Sequence, residues 1–421
     1  MFPFLEVSLG FTISVYLFEL LLDARQRRNL KSRYIPSELS EYIPTDKFVK
    51  SQEYGLAKNS FGLVADLFQV SLDVAIIALF ILPRVWGWSL LIMESFSYDA
   101  SYEILRSCIF TILCGTGAIV VDLPFDLYRQ FVLEERFGFN KQTLRLFFKD
   151  LLLQTALVLA IGMPVLVVLL YIIRWTGRFF YVYVWIFLTV FQLGMVLIYP
   201  TYIAPLFNKF EPLPPGSLRT AIQDLANKLK FPLKELYVID GSKRSAHSNA
   251  YFYGFFKSKR IVLYDTLISQ MKDNEGGVVA ILGHELGHWK LNHTIKNLVI
   301  GLVTTFLTFF SFGLMINNDD LYRSFGFEPK PVLIGLLCFS RTFSPVNHII
   351  GLAMNSLSRH FEFQADEFAT KLGYSLEKPL VALQIENLSE MNPDTWFSLY
   401  HYSHPTLLER LRAISKHKKA D

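Results

Sequence analysis

Apolar positions dominate the chain in long runs, and the runs are separated by short charged segments. About seven stretches reach the roughly 20 residues needed to cross a bilayer as a helix. They cover Phe2–Leu22, Gly62–Leu82, Ile104–Val121, Leu151–Ile173, Phe179–Tyr199, Leu298–Ile316 and Val332–Met354. Three of them carry polar interruptions in or beside them: Asp66 and Asp73, then Asp122, then Arg341, Asn347 and His348. Ionisable groups at such positions avoid lipid and face protein or a wet cavity. The first stretch lacks a basic segment before it and a small-residue cleavage site after it. Arg25, Arg27, Arg28, Lys31 and Arg33 follow directly, so it reads as a retained span.

Lys and Arg in the loops orient the spans. The loop after the first span and the loop with Arg129, Arg136, Lys141 and Arg145 are basic and belong on the cytosolic side. Glu94–Glu103 has neither residue and fits the lumen. Alternation then makes Pro200–Lys296 cytosolic, places Asp319, Asp320 and Glu328 in the lumen, and returns the C-terminus to the cytosol. Arg174 and Arg178 run against the rule. The expected division is a membrane region of five spans at 1–203, a cytosolic domain at 204–296, two spans at 297–355 and a cytosolic helical region at 356–421.

Between the fifth and sixth spans the pattern changes. Glu211–Ser217 reads as a Pro-rich linker. Leu218–Leu229 has helical periodicity, and Leu236–Ile239 is a short strand. Ala250–Phe256 and Arg260–Tyr264 flank Lys257-Ser258-Lys259 as a hairpin. Gly276–His293 reads as a helix leading to the sixth span.

Composition agrees with a bilayer protein: 52% of the 421 residues are hydrophobic and 19% charged, with a mean hydropathy of +0.32. A net charge of +4 with no basic stripe excludes a nucleic-acid binder. Cys108, Cys114 and Cys338 sit singly in apolar runs, which argues against a disulfide framework.

The chemistry lies in His284-Glu285-Leu286-Gly287-His288, an H-E-x-x-H pattern. On a helix, residues four apart share a face. Both imidazoles can then reach one zinc ion, at about 2.0–2.1 Å. Glu285 is placed to take a proton from a water that the metal activates. A catalytic zinc takes three protein ligands and leaves a position for water. The H-E-x-x-H-x-x-G-x-x-H form fails, because Leu291 and Thr294 occupy its Gly and third-His positions. His293, five residues after His288, points off the ligand face. From Thr294 to Phe361 the only acids are Asp319, Asp320 and Glu328, across the membrane from the motif. The next carboxylate on the correct side is Glu362, the expected third ligand. Asp366 shares its helix face and is placed to bond a ligand imidazole. One zinc ion per chain is expected.

The chain resembles the type I CAAX prenyl endopeptidase family. The resemblance rests on His284–His293, Phe361–Asp366, Ser248–Tyr251 with Gly254–Phe256, Gly138–Thr143 and His401–Pro405, in the family's order. It implies an α-helical integral membrane protein, a hollow barrel of seven long helices around a large chamber. A small cytosolic α+β, gluzincin-like metalloprotease domain would hold the zinc at the barrel's cytosolic end. It implies prenylated CAAX proteins or peptides as substrates, and removal of the three residues after the prenylcysteine. Membrane lipid is the other expected partner. By the same resemblance Asn249 binds substrate backbone, His404 donates to the oxyanion, and Arg410 sits behind the zinc carboxylate. Pro405-Thr406 departs from the family's usual Pro-Pro. Lys418-Lys419-Ala420-Asp421 resembles a di-lysine retrieval signal, so the endoplasmic reticulum membrane is expected.

Two other classes fit parts of the pattern. A membrane quality-control zinc metalloprotease would share the site but have fewer spans. A non-proteolytic transporter or receptor with a structural metal would need four protein ligands and no adjacent base.

Overall fold

A computed structural model describes residues 2–255, 258–328 and 330–420. Lys257 of the expected hairpin turn, Phe256 of the family match and Asp421 of the retrieval signal lie outside the described residues. Among the described residues six helices are long and apolar enough to cross a membrane: Phe4–Leu30, Thr45–Ala78, Glu103–Phe137, Leu144–Trp175, Gly177–Phe207 and His293–Met315. The seventh crossing is broken. Val332–Thr342 and Ser344–Lys371 meet at a 60° bend. Pro345 starts the second piece. Its ring has no N–H and rejects the carbonyl of the preceding turn, so the helix cannot run straight through.

The observed helices outrun the apolar runs. The second begins at Thr45, well before Gly62, and its early turns bury Phe48, Ser51, Gln52 and Tyr54 against protein. Hydropathy sees only the lipid-facing part of such a helix. The expected end at Leu82 is wrong: Phe80 takes a left-handed φ of 51° and a separate helix, Ile81–Ser95, follows. The last helix also runs unbroken through the boundary expected at residue 355.

Within the apolar stretches of the six unbroken spans only 6–11% of residues are buried. A packed bundle would bury a stripe along each helix. Here both faces stay open, as in the wall of a hollow barrel. One end is closed by an apolar cluster that includes Trp86, Phe110, Phe312, Tyr322 and Phe339.

The other end carries a four-stranded sheet: β1 (Phe210–Pro212), β2 (Leu233–Ile239), β3 (Ala250–Phe255) and β4 (Ser258–Tyr264). Its order is β1-β2-β4-β3, with β2 and β4 parallel and the outer pairs antiparallel. β1 occupies the start of the segment read as a linker; its Pro is tolerable because the strand is at an edge. The helix Ser217–Leu229 buries Leu218, Ile222, Leu225 and Leu229, a single apolar stripe. That stripe joins Leu236, Ile261 and Leu263 of the sheet and Val278, Leu282 and Leu286 of the helix Glu275–Lys290 in one core. The sheet is thereby fixed to the helix that bears the H-E-x-x-H motif.

Candidate metal centre

Two helices build the centre. The motif helix, Glu275–Lys290, starts at Asn274, whose side chain accepts from the Gly277 amide. It lies against the second half of the seventh crossing, Ser344–Lys371. Gly287 lets the two backbones meet: a Cβ there would stand 3.3 Å from the Ala365 Cα and carbonyl oxygen and 3.1 Å from Phe368. Gly283 faces Ala369 one turn away. Small residues thus alternate along the contact with His284 and His288 on one side and Glu362 and Asp366 on the other, and the close approach drives the four polar side chains together.

His284, His288 and Glu362 offer three ligand atoms within one cluster. The Nε2 atoms of His284 and His288 are 3.2 Å apart, and Glu362 oxygens lie 3.4 Å and 3.3 Å from them. A tetrahedron with bonds of about 2.0–2.1 Å has edges of about 3.3–3.4 Å. The two nitrogens are therefore spaced like two corners of such a tetrahedron, and the Glu362 carboxylate closes on them with one oxygen against each. Glu362 is 4% exposed, and its Oε2 is buried without a hydrogen-bond partner. A buried carboxylate oxygen left unpaired is costly, and a cation in the cluster removes that cost. Burial alone would depress the His284 pKa. Asp366 and Glu362 outweigh it and raise it to about 9, which shows how negative the pocket is.

Each imidazole has a partner behind it. His284 Nδ1 lies 2.8 Å from Asp366 Oδ1. Arg410 donates to both Asp366 oxygens, at 2.8 Å and 2.6 Å, and reaches Glu362 at 3.8 Å. Burial works against the Arg410 charge, yet Asp366 and Glu362 keep its pKa raised. With Asp366 ionised, His284 Nδ1 donates, so that in the neutral ring a bound cation would meet the Nε2 lone pair facing the cluster.

The second imidazole is held by a pair the motif did not predict. His288 Nδ1 lies 3.0 Å from His293 Nδ1, and His293 Nε2 lies 2.9 Å from Gln364 Oε1. His293 is 2% exposed and stacks on Phe361 with centroids 4.1 Å apart. Gln364 accepts from His293 Nε2–H, so His293 Nδ1 accepts from His288 Nδ1–H. His288 Nε2 is again left with its lone pair inward. The expectation that His293 points off the ligand face holds, and that same direction puts it behind His288.

Glu285 follows His284 on the motif helix. Burial raises its pKa, and His284 and His288 temper the shift. His404 stands on the exposed side, with Nδ1 3.1 Å from Glu362 Oε1. Asn249 is outside this contact network. It is exposed at the start of β3, with its side chain turned back to the Ala250 amide. The approach to β3 is braced by the Gly138–Thr143 segment, which explains why that motif lies so far from the centre in sequence. Phe139 stacks on His247 at 4.0 Å and its carbonyl accepts from Ala246 N, while Arg244 holds Asp150 by two 2.8 Å bonds. Gly138, at φ 84°, supplies the left-handed turn this needs.

Two histidines and a carboxylate, a glutamate beside them and a sheet edge nearby, all at one end of a membrane barrel, define a membrane metallopeptidase. Residues 26–209 match the family described as CAAX prenyl protease N-terminal, five membrane helices. Residues 212–418 match peptidase family M48. The chain is 49% identical to CAAX prenyl protease 1 homolog of Arabidopsis thaliana, across 100% of this chain and 99% of that protein. It is 41% identical to the Homo sapiens homolog, across 97% and 94%, and 38% to CAAX prenyl protease 1 of Saccharomyces cerevisiae, across 98% and 95%. The crystal structure of S. mikatae Ste24p superposes with a TM-score of 0.91 at 38% identity, covering 98% of this chain and 99% of that one. This chain belongs to the CAAX prenyl protease 1 family, within peptidase family M48.

Proposed function

We propose that this protein is a zinc metalloendopeptidase that removes the last three residues from proteins ending in a prenylated cysteine plus three residues. The observation that carries the reading is that His284 Nε2 and His288 Nε2, 3.2 Å apart, converge on the Glu362 carboxylate, whose Oε2 and Oε1 lie 3.4 Å and 3.3 Å from them. Two imidazoles and one carboxylate are a donor set of catalytic zinc. The substrate class follows from relatives that carry the name CAAX prenyl protease 1 over nearly their whole length.

In this reading His284, His288 and Glu362 hold the ion. Zinc supplies Lewis acidity and a water of lowered pKa. Glu285 takes the proton of the attacking water and delivers it to the leaving amine. His404 donates to the oxyanion from the open side of the cradle. Asp366 and Arg410 orient His284 and neutralise the acids behind it. The substrate peptide lies along β3 as an added strand, with Asn249 binding its backbone. The spans at 1–203 and 297–355 form the chamber wall. The domain at 204–296 and the helices at 356–421 face the cytosol at the endoplasmic reticulum membrane, in agreement with the basic loops and with Lys418 and Lys419 near the C-terminus.

The test is mass spectrometry of a farnesylated C-terminal peptide after incubation with the purified full chain. Loss of three residues is expected, abolished by a zinc chelator and restored by added zinc. Equal cleavage of the same peptide without its prenyl group would instead identify a quality-control protease.

A further inference from the structure

β3 sits between two different environments. Its residues alternate in direction. Ala250 and Phe252 pack into the core shared with the motif helix. Tyr251 and Tyr253 turn the other way and floor a groove of about 1210 Å³ between the fourth and fifth spans. Val158 and Ile161 line one wall, and Val196 and Ile203 the other. The volume exceeds the roughly 300–1,000 Å³ common for small-molecule sites, so a long apolar chain has room.

Both walls also break α-geometry where they line this groove. Val158–Gly162 and Tyr199–Ile203 are each a turn of π-helix. Such turns are rare and gather at functional sites. Three occur among the described residues, and two of them border this one groove.

A peptide added to the free edge of β3 runs about 4.7–4.9 Å from it and sends alternate side chains to the same two faces. The face shared with the motif helix is packed core. The Tyr251–Tyr253 face opens on the groove. We infer that this groove receives the isoprenoid chain of the substrate's prenylcysteine while the peptide is held along β3. The inference rests on the prenyl-peptidase reading and adds to it a place for the lipid, between two spans and next to the strand that orients the scissile bond.

The experiment uses the full zinc-loaded chain and a farnesylated peptide with a diazirine in the distal isoprene unit. Cross-links are expected within 157–162 and 195–203, and an excess of unlabelled farnesylated peptide should displace them. Labelling of other walls overturns the inference. So does groove labelling that the competitor leaves unchanged, because the groove would then take any lipid. A second arm fills the groove. At Gly162 a Cβ meets nothing closer than Val158 Cγ1 at 3.9 Å, so a side chain can start there, and Gly162→Leu narrows the groove. It should raise KM for the farnesylated peptide at least ~10-fold with kcat within twofold and zinc content unchanged; an unchanged KM counts against the groove. Should the wild-type chain cleave no prenylated peptide, the functional reading falls and the groove with it. Cleavage with labelling elsewhere removes the groove alone.

Discussion

In the proposed mechanism Glu285 and His293 act on the two sides of the same pair of imidazoles, and replacing each would separate metal binding from proton transfer. Glu285→Gln keeps the three ligand side chains and their partners, so the zinc content of the purified variant should match wild type. Its kcat on a farnesylated peptide should fall by about 10²–10⁴, the usual worth of a positioned base. A variant that keeps full activity would remove Glu285 from the proton path. His293→Phe preserves the ring stacked on Phe361 but takes away the acceptor for His288 Nδ1–H. Zinc affinity, measured by competition with a chelator, should drop about 10–100-fold; unchanged affinity would mean that Gln364 and His293 only fill space. The difference between these residues also marks what the sequence could reveal. The pair His284 and His288 is legible because one helical turn separates them. Glu362 is legible because the span pattern removed every nearer acid. His293 works through the far nitrogen of His288, and spacing rules describe only the near face. His404 and Arg410 belong to no local pattern, and only resemblance to known relatives singled them out.

Between the two helices of the centre, the decisive feature is a strip of small residues. Gly283 and Gly287 are one turn apart, yet the structure assigns them different tolerances. An added methyl at Gly283 meets the Tyr374 ring at 3.4 Å and Ala369 Cβ at 3.7 Å, which is ordinary contact. At Gly287 it meets Ala365 backbone atoms at 3.3 Å and Phe368 at 3.1 Å. Backbone cannot swing aside as a side chain can, so the helices must part. Ala favours a helix over Gly by about 1 kcal/mol, whereas overpacking costs about 1–3 kcal/mol. Gly283→Ala should therefore be neutral or stabilising, with zinc affinity within twofold of wild type. Gly287→Ala should push Glu362 away from the histidines and weaken zinc at least ~10-fold. Equal behaviour of the two variants in thermal melts and chelator titrations would refute this account of the interface. The pattern of elements was legible to different depths. The spans announced themselves as apolar runs, but their ends did not, since the long extension from Thr45 is amphipathic and packs on protein. β1 was hidden by its Pro-rich sequence, and the helix Ile81–Ser95 by the apolar run that continues across Phe80.

The barrel as a whole poses the question of how a wall open on both faces keeps its shape. Asp73 and Arg341 were legible as charges that must avoid lipid, but not as a pair, since 268 residues separate them. In the structure Arg341 donates to Asp73 at 3.1 Å, tying the second span to the seventh two residues before its bend. Glu362 lies about 27 Å further along the same helix line, at 1.5 Å per residue over 18 residues. A tilt of about 5° at the bend would then move the carboxylate by about 2 Å, enough to part Glu362 from the two histidines. Against that lever stands the close contact of Gly287 with Ala365, only a few residues from Glu362. Close-packed interfaces resist displacements of this size, so the tilt should be absorbed at the bend itself. Arg341→Met and Asp73→Asn are each expected to lower the melting temperature in detergent. In the double variant the losses should not add, with a coupling of about 0.5 kcal/mol, the low end for neighbouring groups because both are partly exposed. Zinc affinity should stay within about twofold in all three variants. If it falls in step with the melting temperature, the broken span transmits strain to the centre, and the metal site depends on the barrel wall rather than on the helix pair alone.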